Sequence, residues 1–180
     1  LEPTPEEYVA NMVKVFREVW RVLADDGTLW LNLGDSYASG KQLVGIPWRV
    51  AFALQADGWY LRQDIIWAKP NVMPESVTDR CTKSHEYVFL LSKSPRYYYD
   101  HEAIKEPVSE VSLKRAEYGL KTKRESAKAG PDGIAVEEMG SRFVNPKGRN
   151  KRDVWFIPTA RFKGAHFAVM PEALVEPCVL

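Results

Sequence analysis

Gly27-Thr-Leu-Trp-Leu-Asn-Leu-Gly-Asp-Ser-Tyr37 is the stretch whose reading decides the fold. Thr28 to Leu33 is an almost unbroken apolar run, as expected of a strand covered on both faces in a parallel sheet. It ends in Gly34-Asp35-Ser36, small and polar residues. In open α/β sheets ligands sit beyond the carboxyl ends of the strands. Asp35 and Ser36 are therefore candidates for contact with a cofactor or substrate. The competing reading is a plain strand-to-loop turn in which Asp35 caps whatever follows, and residue types alone leave the two evenly matched.

Upstream, Thr4-Pro5-Glu6-Glu7 carries three helix-start signals in register: a capping threonine, a proline suited to the first helical position and a glutamate completing a capping box. Tyr8, Val9, Met12, Val13, Phe16, Val19, Trp20 and Leu23 then recur at helical spacing, and Asp25-Asp26-Gly27 stops the helix. This helix-to-strand unit predicts a strand in a parallel sheet. Downstream, a second helix is expected from about Gly45 to Asp57, with Pro47 in its first turn and Gly58 ending it. Trp59 to Ala68 and Glu86 to Leu91 read as strands with no helical pattern between them, which predicts an antiparallel pair. Lys93 to Asp100 reads as a turn and a short aromatic strand, Tyr97-Tyr98-Tyr99. Asp153 to Pro158 reads as another short strand, and Met170 to Val175 starts a helix with Pro171 at or near its first position. From about Pro107 to Arg152 the pattern weakens into an irregular or mobile insertion, marked by the turn sequences Gly130-Pro-Asp-Gly133 and Asn145-Pro-Lys-Gly148.

Composition bounds the class. With 180 residues, 45% hydrophobic and 27% charged, the chain suits one globular domain with a real core. No apolar run approaches the ~20 residues that span a bilayer, and the first residues show no signal peptide. Cys81 and Cys178 have no metal-ligand spacing, and two cysteines point to a reducing, intracellular setting. The net charge of +1 hides an asymmetry. Lys114 to Arg152 carries 11 basic and 5 acidic residues, leaving 14 of the 25 basic and 19 of the 24 acidic residues to the remainder. A basic segment on a mildly acidic body suits a polyanion partner, and equally a solvated loop.

Hydrolase and nucleotide-loop chemistry find no support. Ser36 lacks a GxSxG context, His85, His101 and His166 lack metal spacing, and no GxGxxG or Walker loop occurs. Three clusters remain. The first is Asn32 to Tyr37. The second joins Trp67-Ala-Lys-Pro-Asn-Val-Met-Pro74 to Arg80-Cys-Thr-Lys-Ser-His-Glu-Tyr87. It sets Lys69, Asn71, Arg80 and Lys83 near Trp67 and Tyr87, a mix of cations for phosphates and aromatic faces for a base turned out of a duplex. A surface hairpin with snorkelling lysines gives the same pattern. The third, Arg161-Phe-Lys-Gly-Ala-His-Phe-Ala-Val-Met-Pro171, is a loop running into a helix start, which favours carboxylates and phosphates, while His166 taken alone reads better as a satisfied, half-buried histidine.

Taken in this order, the clusters resemble the S-adenosylmethionine-dependent amino-methyltransferases of DNA, in their permuted beta class often associated with restriction–modification systems and phage. Arg21 to Tyr37 is similar to the family's helix-to-strand segment after the catalytic strand. Gly58 to Asn71 and Lys83 to Lys93 are similar to its last two strands, a reversed hairpin. Lys163 to Pro171 is similar to the motif opening the cofactor half. The resemblance implies a partial Rossmann-like α/β sheet ending in an antiparallel hairpin. It divides the chain into a catalytic-side half over 1–106, a basic target-recognition insertion over 107–152 and the start of the cofactor half over 153–180. The family's Pro-Pro-Tyr/Phe tetrapeptide and Phe-x-Gly-x-Gly loop do not occur in the sequence. The chain is therefore expected to be an interior fragment, inactive alone, in which adenine N6 and cytosine N4 stay open as targets.

Further site assignments follow from the resemblance. Asp35 and Ser36 would line the catalytic pocket, with Tyr87 and His85 near a flipped base. Asp35, Lys163, Gly164, Ala165, His166 and Phe167 would lie by the cofactor. Lys69, Asn71, Arg80, Lys83, Arg142, Lys147, Arg149, Lys151 and Arg152 would contact double-stranded DNA. No metal and no membrane are implied, and the expected setting is the cytoplasm of a prokaryote, or of a phage host. A non-catalytic DNA-binding module derived from such an enzyme is the alternative, and a related fold acting on RNA or a small molecule the third reading. The whole assignment requires Asp35, Tyr87 and His166 to meet at one rim of the sheet.

Overall fold

The computed structural model describes residues 2–114, 148–164 and 169–180. Backbone packing divides the chain into two units, Leu1–Tyr99 with Arg152–Leu180, and Asp100–Lys151.

The first unit begins with helix α1, Pro5–Val22. Thr4 caps it as expected, its hydroxyl accepting from the Glu7 amide at 3.2 Å. Strand β1 follows over Thr28–Leu33, then helix α2 over Ile46–Ala56. Strands β2, Tyr60–Ala68, and β3, His85–Ser92, form the antiparallel pair predicted from the missing helix between them. Strand β4, Val154–Phe156, lies parallel to β2, and helix α3 spans Glu172–Val179 behind Pro171.

The sheet order is β1-β3-β2-β4, and this corrects the expectation for β1. Its hydrogen-bonded neighbour among the described residues is β3, and the pairing is antiparallel, Thr28↔Ser92 through Leu33↔Tyr87. The reversed strand has slipped between β1 and β2, which run in the same direction as each other. Apolar continuity reports burial on two faces, not the direction of the neighbour, so β1 reads identically in either sheet. Tyr97-Tyr98-Tyr99 forms no strand. The Tyr98 amide instead donates to Asp26 O at 2.8 Å, and the Tyr97 hydroxyl accepts from Arg62 Nε at 3.2 Å.

Successive strand residues point to opposite faces, and two cores result. Leu31, Phe89 and Leu91 on one face pack with Phe16 of α1 and Val50, Ala51 and Leu54 of α2. Val88, Ile65 and Trp67 on the other pack with Trp155 of β4 and Leu174 of α3, with Trp30 against them. The sheet is thus sandwiched between helices, and β1 is covered on both sides as its sequence requires. No helix among the described residues is long and apolar enough to cross a membrane.

A guanidinium clamp ties α1 to the end of α2. Arg17 Nε donates to both carboxylate oxygens of Asp57 at 3.0 Å, and Nη2 reaches Oδ1 at 2.5 Å. This hydrogen bonding, aided by Arg17's charge, holds the Asp57 carboxyl below its ordinary value. A carboxyl depressed by folding adds stability above the unfolded pKa and loses it as pH falls through the folded value. The urea midpoint should therefore fall with pH below about 4 more steeply in the parent than in Asp57→Asn. Equal acid limbs would remove the clamp from the account.

In the second unit, the backbones of Glu106 and Arg149 exchange two hydrogen bonds of 2.9 Å. Gly148 precedes this bridge at φ +112°, where a Cβ would sit 2.7 Å from Glu106 O, so only glycine fits. The expected insertion over 107–152 falls mostly on residues outside those described.

Candidate active site at the strand-end rim

The carboxyl ends of β1, β2 and β4 and the amino end of β3 form one rim, because β1 and β2 oppose β3 and β4 follows β2. The register brings Leu33 opposite Tyr87, and Ala68 opposite both His85 and Phe156. Residues 33, 68, 85–87 and 156 are far apart in sequence, yet they end or begin their strands at this one rim. Asp35 and Ser36 follow β1 there, Lys69 and Asn71 follow β2, and Lys163 and Gly164 lie on the segment that follows β4. His166, Ala165 and Phe167 lie outside the described residues, as do Arg142 and Lys147.

Asp35 works as a cap. Its Oδ1 accepts from the amides of Ser36 at 2.9 Å, Gly45 at 2.9 Å and Ile46 at 3.0 Å. The last two open α2, where Gly45 turns the chain at φ +76° and supplies no side-chain cap of its own. A carboxylate at a helix N-terminus meets orphan N–H groups and the positive end of the dipole. Asp35 therefore welds the loop after β1 to the start of α2. Ser36 beside it is exposed.

Tyr87 is half-buried and sits in an aromatic row on the α2 side of the sheet. Its ring stacks on Phe89 at 5.9 Å and meets Trp48 edge-on at 5.5 Å, with His85 edge-on at 5.4 Å on the rim side. Edge-to-face aromatics resist rotation and hold one another's planes. The row leads from a fully buried Phe89 out to His85 at the mouth of the rim.

On the opposite face a polar network crosses three strands. Asn32 Nδ2 donates to Glu86 Oε2 at 3.1 Å and to Tyr87 O at 3.0 Å. Glu86 Oε1 pairs with the Lys69 ammonium, which also lies 4.3 Å from the centre of the Trp67 ring. Lys69 keeps only 16% of its side chain exposed, so it serves the sheet more than a passing phosphate. Asn71 is similarly occupied. Its Oδ1 accepts from the Thr159 amide at 2.9 Å and its Nδ2 donates to Thr159 O at 3.3 Å. Trp67 Nε1 donates to Ile157 O at 2.7 Å. These bonds strap the segment after β4, on which Lys163 and Gly164 stand, to the end of β2.

Two other predicted cations also have carboxylate partners. Arg80 Nη1 lies 2.5 Å from Glu75 Oε2, and Arg149 Nη2 lies 3.1 Å from Glu106 Oε2. Lys83 is half-buried, and its amide meets Glu75 Oε1 at 3.3 Å. Lys151 is half-buried and Arg152 exposed. Sequence reasoning missed Trp48, whose ring braces Tyr87. The signal was only its place one residue after Pro47, in the first turn of a helix whose start lay at the rim. No cluster of three or more potential metal ligands occurs among the described residues.

Comparison with known proteins shows the family and the fold. A family model described as DNA methylase matches residues 2–180. The chain is 42% identical to the type II methyltransferase M.SmaI of Serratia marcescens over 99% of its own length and 60% of that protein. It is 41% identical to M.Cfr9I of Citrobacter freundii over all of its length and 58% of that protein. The chain thus spans about three-fifths of the length of the curated relatives it matches. Among solved structures, a Thermus thermophilus protein described as a DNA modification methylase, complexed with S-adenosyl-L-methionine, aligns over 97% of this chain and 57% of its own. The TM-score is 0.53 and the identity 18%. The cytosine-N4-specific PvuII DNA methyltransferase aligns over 74% of this chain and 52% of its own, with a TM-score of 0.52 and 18% identity. At such identities these two likenesses show the fold, a Rossmann-like α/β methyltransferase sheet.

Proposed function

The chain belongs to the DNA methylase family, and from that premise we propose that the full-length protein methylates an exocyclic amine, adenine N6 or cytosine N4, in duplex DNA. The type II methyltransferases among its relatives suggest the modification half of a restriction–modification pair as its setting. The activity is assigned to the full-length protein rather than to this segment, given the share of its relatives that the segment spans. The observation that carries the reading is the convergence at one rim of an aromatic row, a welded loop and a strapped segment, drawn from strands distant in sequence.

The family's methyl donor is S-adenosylmethionine. When bound, it supplies an electrophilic methyl group on a sulfonium centre. The residues present fit such a group. Lys163 offers a cation for a carboxylate, and the neighbouring Phe162 ring is 60% exposed. Gly164 lays bare backbone against that ring, for a Cβ there would stand 2.5 Å from Phe162 Cε1. Lys163 and Gly164, with Ala165, His166 and Phe167, would hold the methionine portion, and Asp35 with Ser36 would border it from the loop after β1.

Tyr87, with His85, would bear on the extruded base. A base leaving the duplex gives up its stacking, and an aromatic face replaces it. Trp48 and Phe89 keep that face from turning. Arg142, Lys147, Lys151 and Arg152, with Lys83 at the rim, would meet phosphates of the recognition site, whereas Lys69, Asn71, Arg80 and Arg149, also predicted there, are engaged by Glu86, Thr159, Glu75 and Glu106. The family's division of the chain at 106 and 152 is retained as part of this proposal.

The test is transfer of labelled methyl from S-adenosylmethionine to duplex DNA by the full-length protein, compared with Tyr87→Ala and Tyr87→Phe. The expected result is transfer by the parent, at least ~10-fold slower turnover in Tyr87→Ala, as a lost stacking platform implies, and near-parent turnover in Tyr87→Phe. Salt-dependent DNA binding without any transfer would leave a binding module instead. Unaltered transfer by Tyr87→Ala would remove the base-facing role.

A further inference from the structure

Two rim loops face each other across a cleft of about 510 Å³. One follows β1 and contributes Tyr37 and Lys41. The other joins β2 to β3 and contributes Val77, Asp79 and Arg80. The loop after β1 has a fixed shape. The Ala38 amide donates to Gln42 O at 2.8 Å and the Val44 amide to Ser36 O at 3.0 Å. At its tip Lys41 holds φ +63°, a left-handed conformation costly for any residue but glycine.

The charges lining this cleft cancel in pairs. Lys41 is salt-bridged to Asp79, and Arg80 to Glu75 at 2.5 Å. What remains on the walls is flat: an aromatic ring, an aliphatic side chain and a planar guanidinium. The Arg80 guanidinium lies 4.3 Å from the centre of the Tyr37 ring, and Tyr37 and Val77 stay 41% and 40% exposed. The partly shielded Arg80–Glu75 pair gives Arg80 a carboxylate that competes with a phosphate for its charge. A flat uncharged ring needs an aromatic face, an apolar wall and a planar guanidinium, all of which are present.

We propose that the Tyr37–Arg80 cleft holds a second nucleobase of the substrate DNA, distinct from the base to be methylated. This rests on the reading of the protein as a DNA methyltransferase. It also reassigns Arg80 from phosphate contact to base stacking. The occupant is either a neighbour of the target base in its own strand or the orphaned partner in the opposite strand. The chemistry is the same for both.

The experiment measures binding of the full-length protein to a duplex that it methylates, across a salt series, for the parent, Tyr37→Phe, Tyr37→Ala and Arg80→Ala. Stacking predicts an affinity lower by about 10-fold or more in both alanine variants and close to parent in Tyr37→Phe. The slope of log affinity against log salt should not change. Loss of a phosphate contact would flatten that slope by about one, and such flattening in Arg80→Ala would overturn the proposal. Abasic substitutions placed beside and opposite the target then identify the occupant. One of them should weaken the parent as much as Tyr37→Ala does, and should weaken Tyr37→Ala no further. Parent-like affinity in Tyr37→Ala, with DNA methylation intact in the parent, would overturn this inference alone. A parent that neither binds nor methylates DNA would overturn the functional reading beneath it.

Discussion

Replacing Phe89 by alanine should cost about 3–5 kcal/mol and lower the urea midpoint more than any other single change considered for this chain. Phe89 lies in the central reversed strand and is fully buried. Its ring meets Trp48 edge-on at 5.0 Å and stacks on Tyr87 at 5.9 Å, and it shares the core with Leu31 of β1 and Leu54 of α2. Truncation leaves a cavity bordered by a strand on each side and a helix above, none of which can collapse without breaking sheet register. Domains of this size are stable by about 5–15 kcal/mol, so the loss is a large fraction of the whole. Phe89→Leu, which keeps most of the volume, should cost under half as much. Equal midpoints for the parent and Phe89→Ala would mean that the sheet and α2 do not share one core.

The second large effect falls on Asp35. Removing the carboxylate in Asp35→Ala leaves three amides without their acceptor. The two that open α2 are partly buried, so water replaces the bond incompletely. A loss of about 3 kcal/mol is expected from unsatisfied donors at a charged acceptor. Asp35→Asn keeps an oxygen acceptor and gives up only the charge opposite the helix dipole, which costs about 1 kcal/mol or less. Denaturant unfolding should therefore rank the parent first, Asn second and Ala last. Comparable stability in the parent and Asp35→Ala would show that the loop after β1 is held by something else. The same pair separates structure from chemistry, because a methyl-transfer loss in a stably folded Asp35→Asn assigns the charge to the site.

Much of the architecture was legible because its signals are local. Thr4, Pro5 and Glu7 marked the start of α1 within four residues, and the gap between Ala68 and Glu86 held no helical period, which made β2 and β3 a hairpin. The direction of β1's neighbour was not legible, since hydrogen-bond direction leaves no trace in an apolar run. Tyr97-Tyr98-Tyr99 has strong strand propensity, but its backbone and hydroxyl bonds go to Asp26 and Arg62 instead of a ladder.

Site residues were less legible than the sheet. Both readings of Asp35 began from the same place on the chain, and seeing its capping role needed the positions of Gly45 and Ile46, ten and eleven residues away. The cations were the harder case. Lys69, Arg80 and Arg149 look like phosphate ligands when counted along the sequence. In the fold their charges meet Glu86, Glu75 and Glu106, up to 43 residues distant. Ion pairing across that separation has no sequence signature.

The measurement closest to the central claim is chemical. Duplex DNA treated with the full-length protein and isotopically labelled S-adenosylmethionine is digested to nucleosides, and the labelled nucleoside is identified by mass. The account predicts label on an exocyclic amine, as N6-methyladenine or N4-methylcytosine. Label on carbon 5 of cytosine, or label in RNA or a small molecule with none in DNA, would contradict it.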